Sequence, residues 1–486
     1  MPPPVAGGPA VVADEIPAAA TSTASDCVDD RSTAEHVGKE GGKEGLSAVT
    51  DAAVSRALWR NADFNMFWAG GSISVLGSEV TLLALPLTAI ITLHAGATQL
   101  GYMAGASTVS TLVLSLFAGA FADRFRRKPI MICTDIGRAL ALGSIPALAY
   151  AGLLSLPLLY IVALIAGALG TIFGVARYAY VPTLLDETQL MAGNSRLSAS
   201  ASAGSVIGAS AAGALVSVFR PAYVILGDAL SFVVSAVCLA MIRKPEPKPK
   251  RASADERQNA VSVMSEIGQG VKITFTNRFC RPLALNSIGA NLGAMIILTL
   301  FILYARKDLH ISTLWIGVIY ACGGVGGVIG GALTNMIVRR IGFGRATMAS
   351  MLCYRALCLT PLARGPKWFE IGALSVIWLF TVIGVVMSNV CQGTLTQYVI
   401  PNGLLGRQGS ASNFVGLGIL PVAALAAGYL GAHLGLHSAI AVGAAILPLP
   451  LLWVIFSPIP RLRRLSDAPK GDPDTEEVDQ DRVSRV

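Results

Sequence analysis

The 486-residue chain is 53% apolar and only 14% charged, against about a quarter charged in a soluble protein, which excludes an ordinary soluble domain. The net charge of +8 does not point to nucleic acid, because Lys and Arg sit in short links between apolar runs of about 20 residues, each long enough to cross a bilayer. The eight cysteines show no CxxC pair and no His/Cys ligand spacing, so free thiols are expected rather than a disulfide framework or a metal site.

Residues 1–55 are rich in Ala, Pro, Gly, Ser and acids without apolar periodicity, which predicts a disordered tail. No basic stretch followed by a short apolar core marks a signal peptide there, so the first spanning helix is expected to direct insertion. Twelve apolar segments follow, at about 65–92, 100–122, 130–152, 157–177, 195–218, 223–242, 283–304, 313–336, 345–363, 370–392, 408–431 and 436–457. Gly and Pro occur inside several of them, as polytopic helices tolerate.

Alternate links differ in charge. One side collects 24 Lys and Arg, among them Arg124, Arg126, Arg127, Lys128 and the basic residues of 243–282; the other holds Arg220, Arg306, Lys307, Arg364 and Lys367. This places both termini in the cytoplasm and requires an even number of spans. The link 243–282 opens with the Pro/Lys run Arg243–Arg251, expected to be a stiff solvated spacer. It continues through Val261, Met264, Ile267, Val271 and Phe275 at helical spacing, which predicts an amphipathic helix along the cytoplasmic surface. The expected organisation is a tail (1–55), a six-helix bundle (56–242), the linker (243–282), a second six-helix bundle (283–457) and a second disordered tail (458–486).

The halves repeat. At an offset of 216, Leu76-Gly77-Ser78-Glu79 faces Leu292-Gly293-Ala294-Met295, Leu93-His94 faces Leu309-His310, and Leu100-Gly101 faces Ile316-Gly317. With one residue of slippage, Lys128 and Arg138-Ala139-Leu140 correspond to Arg345 and Arg355-Ala356-Leu357. The fold class is then an all-α membrane protein of twelve transmembrane helices in two bundles related by a pseudo-two-fold along the membrane normal. Function should have been added where the repeat breaks: Gly119, Asp123 and Glu79 become Asn335, Arg339 and Met295.

Glu79 falls about 12 residues into the first span, roughly 18 Å along it. A carboxylate there costs several kcal/mol unless paired, wetted or protonated, so it is a candidate for proton coupling or for contact with a cationic substrate. Asp135 and Arg138 are spaced for an i,i+3 ion pair, and with Asp228 they are candidates for a secondary polar network. Phe173 and Tyr320 could stack on a hydrophobic substrate, and Asn291, Asn389 and Asn413 could line a cavity or bond between helices. No Walker A, GxSxG or HExxH pattern is present, so neither an enzyme nor an ATP-driven pump is expected, and no cofactor.

The segment Gly119–Lys128, GAFADRFRRK, resembles the loop between helices two and three of the major facilitator superfamily, G-x-L-A/G-D-R-x-G-R-K/R. Gly119, Ala122, Asp123, Arg124, Arg127 and Lys128 match; Phe121 and Arg126 depart. Arg60–Leu87 is similar to the start of the twelve-helix bacterial efflux branch that includes enterobactin and macrolide exporters. The resemblance covers residues 56–457 and implies alternating access, with Gly119, Asp123, Arg124, Arg127 and Lys128 forming a cytoplasmic gate. The helix-five pattern G-x-x-x-G-P-x-x-x-G of exporters is present at Gly204, Gly208 and Gly213, with Ala209 where the proline belongs.

Together these readings predict a monomeric, multi-pass transporter in the cytoplasmic membrane. It would export amphipathic small molecules (drugs, antibiotics or siderophores) in exchange for protons. Its partners are the small-molecule substrate, protons and the lipid bilayer. Proton-coupled uptake is the alternative prompted by Ala209, and a non-transporting sensor or scaffold a more distant one.

Overall fold

The computed structural model describes residues 58–124, 126–246, 259–401 and 404–469; at 115–124, 187–188, 259–267, 406–407 and 410 it describes the backbone alone. Residues 58 onward belong to one compact unit. No strand occurs among the described residues.

The first half is built from α1 (Ala62–Leu87, continued by a wider π turn to Thr92), α2 (Ala97–Arg124), α3 (Arg127–Tyr150), α4 (Leu156–Leu184), α5 (Glu187–Val218) and α6 (Pro221–Met241). A linking helix α7 (Asn259–Thr276) leads to α8 (Cys280–Lys307), α9 (Thr313–Ile341), α10 (Phe343–Tyr354), α11 (Lys367–Val399), α12 (Leu405–His433), α13 (Leu436–Ile446) and α14 (Leu451–Ile455). Among the described residues, ten helical runs are long and apolar enough to cross a membrane. The other two expected segments fall on α2 and on α10 with its extension.

Two of the twelve segments are broken. After Tyr354 the chain tightens into a 3-10 turn, Arg355–Leu362, that contains Pro361, and Gly384 of α11 lets the two backbones meet there. A Cβ at Gly384 would sit 2.1 Å from the Tyr354 nitrogen. The last segment breaks between α13 and α14, where Pro448 and Pro450 remove two helical donors.

The repeat legible in the sequence recurs as packing. In the first half α1 packs on α5 and α6, α3 on α4 and α6, and α2 on α4; in the second half α8 packs on α12 and α13, the α10 run on α11 and α13, and α9 on α11. Each pair in one list is the repeat mate of a pair in the other. The match extends to backbone detail. His94 and His310, one offset apart, both take left-handed φ values, 53° and 50°. Both lie in the same helix-ending turn, closed by Ala95 N–H to Ala89 C=O at 2.9 Å and Ile311 N–H to Ala305 C=O at 2.8 Å.

Two expectations need correction. Arg243–Glu246 is not a free spacer, because the Arg243 and Lys244 N–H groups donate to the Asp63 carboxylate. The linking helix packs on α12 and α8, its Thr274 buried. The segment from 458, expected as a tail, is packed at its start: Ile459 and Leu462 are buried, and the Phe343 and Gly344 N–H groups donate to the Arg463 and Leu462 carbonyls. Capping the first turn of α10 needs those acceptors, which keeps residues 459–469 on the bundle.

Candidate functional site

Helix α1 carries Glu79 in the middle of the Ala62–Thr92 run. Helix α5 comes against it through glycines: a Cβ at Gly208 would lie 2.6 Å from the Glu79 Cβ, and one at Gly204 would lie 2.7 Å from Val75 Cγ1. The close approach leaves the Glu79 head facing a cavity of about 620 Å³ lined also by Ser74, Ser78, Arg138, Phe173, Arg177, Tyr178 and Asn194.

Arg138 links this cavity to a buried charge cluster. Its guanidinium pairs with Asp135 and is held between the Phe173 and Phe232 rings, 4.4 and 4.1 Å from their centroids. Asp228 accepts from the Ser231 hydroxyl at 3.0 Å and lies within electrostatic reach of Arg138. Among the described residues Arg138 pairs with Asp135, and Asp228 adds its charge to the same cluster from within electrostatic reach. Gly77 of α1 leaves room for them, since a Cβ there would meet Asp228 Oδ1 at 2.5 Å.

The second half presents a cavity of about 440 Å³ lined by Ser287, Gln392, Gln397, Gln408, Ser412 and Asn413. Beside it lies a smaller one of about 100 Å³ lined by Asn286, Asn291, Arg355, Ser388, Asn389 and Gln392. Asn291 also bonds the Gly416 carbonyl at 3.0 Å. Tyr320 lines none of these spaces; it packs on Phe301 and Trp378.

Of the loop motif, the side chains of Gly119, Asp123 and Arg124 lie outside the described residues. The described part is a helix junction. The Arg127 and Lys128 N–H groups donate to the two Glu246 oxygens at 2.7 and 3.1 Å, a carboxylate at the positive end of α3. The Lys128 ammonium donates to the Ala240 and Ile242 carbonyls at 3.1 and 2.7 Å, capping the opposite pole of α6. Nearby, Arg196 lies between the Trp59 and Trp68 rings, 3.6 and 3.8 Å from their centroids. The sequence reading missed Asp63, Glu246 and the Arg196 clamp. The signal for Glu246 was a lone acid inside the Pro/Lys run.

The cavities belong to the end of the bundle that carries the basic links. At the other end the halves touch. Gly101 of α2 meets Gly428 of α12, and Gly213 of α5 meets Gly317 of α9; a Cβ on Gly101 or Gly317 would lie 2.7 Å from the partner's Cα. Gly101 and Gly317 are repeat mates at the offset of 216, so the pseudo-two-fold exchanges the two contacts. Gly213 of the helix-five pattern therefore serves the contact between halves, while Gly204 and Gly208 serve the seat of Glu79.

A family model described as Major Facilitator Superfamily matches residues 67–420. The chain is 26% identical over 406 residues to the multidrug efflux pump Tap of Mycolicibacterium fortuitum, covering 81% of this chain and 95% of that one. Among solved structures, a mutant form of the nucleoside transporter NupG superposes with a TM-score of 0.64 at 10% identity, over 81% of this chain and 99% of that one. A bacterial homologue of the iron transporter ferroportin in its inward-facing state gives 0.61 at 17% identity, over 81% and 98%.

Proposed function

The chain belongs to the Major Facilitator Superfamily, and from that premise we propose that it exports amphipathic small molecules across the cytoplasmic membrane in exchange for protons. It is a multi-pass membrane transporter and not an enzyme. The observation that carries the proposal is Glu79: a mid-span carboxylate with no repeat mate, facing a cavity it shares with Arg138. A proton and a cationic or polar substrate group competing for that carboxylate would couple the two flows.

With the basic links in the cytoplasm, the cavities open inward, and the glycine contacts close the outer side. Rocking of the halves about the middle would exchange the two openings. The efflux relative, spanning nearly the whole domain, supports the outward direction.

The experiment uses everted vesicles and a fluorescent cationic dye. Inside-acid vesicles should accumulate dye, and Glu79→Gln should abolish accumulation that depends on the proton gradient. Undiminished accumulation by Glu79→Gln removes that residue from coupling; no accumulation by the wild type removes export. Proton-coupled uptake is the second reading, because Ala209 stands where exporters carry proline and α5 runs unbroken from Glu187 to Val218.

A further inference from the structure

Arg138 and Arg355 are repeat mates, yet their surroundings differ in charge. Arg138 has Asp135 and Asp228. At Arg355 the positions equivalent to Asp135 and Asp228 are Leu352 and Ala444. From residue 280 to 460 the sequence contains only two acids, Asp308 and Glu370, and each faces a neighbouring base, Arg364 and Lys367 respectively, in the loops away from the basic end.

Arg355 is nonetheless 6% exposed. One of its terminal nitrogens donates to the Met351 carbonyl at 2.8 Å, the other to the Asn286 side chain, and its Nε is buried with no hydrogen-bond partner among the described residues. Guanidinium does not lose its proton in a protein, and a buried cation without a counter-charge is strongly unfavourable. The surroundings offer neutral donors instead. Asn389, Gln392, Ser287 and Ser388 line the same small cavity, and Ser287 and Gln392 also border the larger one. The 100 Å³ space fits a head group, and the 440 Å³ space beside it has room for the rest of a molecule.

We propose that Arg355, with Asn389 and Gln392, forms a subsite in the second half for the carboxylate of an amphipathic substrate. It complements the acidic Glu79 wall in the first half. A planar carboxylate can accept from the guanidinium and from amide N–H groups together. The proposal rests on reading these cavities as the translocation path.

The test measures binding of dansylglycine, a carboxylate probe, and its neutral counterpart dansylamide to the purified full-length chain in dodecyl maltoside. Dansylglycine should bind saturably, and Arg355→Gln should weaken it by about tenfold or more while leaving dansylamide unchanged. If Arg355→Gln does not purify as a single species, Asn389→Asp, which sets a competing carboxylate in the cavity, should give the same selective loss. Equal weakening of both probes, or of neither, overturns the subsite. Thermal stabilisation of the wild type by chloride but not gluconate, without dansylglycine binding, also overturns it and makes Arg355 a halide site. A chain that binds dansylglycine through Arg355 but moves no dye in everted vesicles keeps the subsite and loses export. Dye export with dansylglycine binding indifferent to Arg355→Gln does the reverse.

Discussion

At residue scale the charged interior of the first half divides labour between two kinds of carboxyl. Asp135 is fully buried and paired, so it serves chiefly to neutralise Arg138, whereas Glu79 reaches the cavity and is available to ligands. Removing one member of the buried pair tests this division. Arg138→Met leaves Asp135 uncompensated and should cost about 3–5 kcal/mol, read as a lowered thermal midpoint in detergent. Adding Asp135→Leu should restore much of the loss, because a neutral pair of similar volume removes the orphaned charge. A double variant no more stable than the single one would mean that packing against Phe173 and Phe232, not charge, fixes Arg138. The charge types and the Asp135–Arg138 spacing were legible from sequence. The distance of Asp228 from that arginine was not, since it depends on α3 and α6 lying side by side.

At the scale of elements, helix approach is set by what is missing from side chains. Without a hydrophobic driving force between helices in lipid, small residues admit close backbone packing. Gly213–Gly317 and Gly101–Gly428 do this at the contact between halves. A leucine at Gly317 would place its Cβ 2.7 Å from the Gly213 Cα, and backbone cannot yield as a side chain can. Overpacking of this kind costs about 1–3 kcal/mol, enough to depopulate the closed arrangement by roughly 5- to 150-fold. Gly317→Leu should therefore depress dye transport and raise labelling of a cysteine introduced at Thr313, which is buried here, by an impermeant maleimide. Unchanged labelling would mean that this contact is not what closes that end. The sequence marked Gly101 and Gly317 as repeat mates, but it could not say that their partners lie in the opposite halves.

For the whole molecule, the compact unit begins at Leu58 and its packed chain extends past the last span to residue 469. Deleting residues 1–50 and 470–486, expected from their composition to be tails, should leave transport within about twofold. Extending the second deletion back to 459 should be far more damaging, as it removes the carbonyls that cap α10. Loss of all transport on the shorter deletions would revive a scaffold role for the tails.

The sequence by itself determined the helical class, the segment order, the internal repeat and the sidedness of the basic links. Each of these follows from local hydropathy, from charge in short links, or from self-similarity along one chain. The tertiary structure decided which end of the bundle is closed, that Asp135 pairs with Arg138 while Asp228 lies within its electrostatic reach, and that no acid among the described residues pairs with Arg355. It also showed that Arg243–Glu246 and Ile459–Ala468 are docked on helix ends. The physical reason is common to all of these. They depend on contacts between residues far apart in the chain, where a missing Cβ or a single carboxylate has meaning only once the opposing backbone is known.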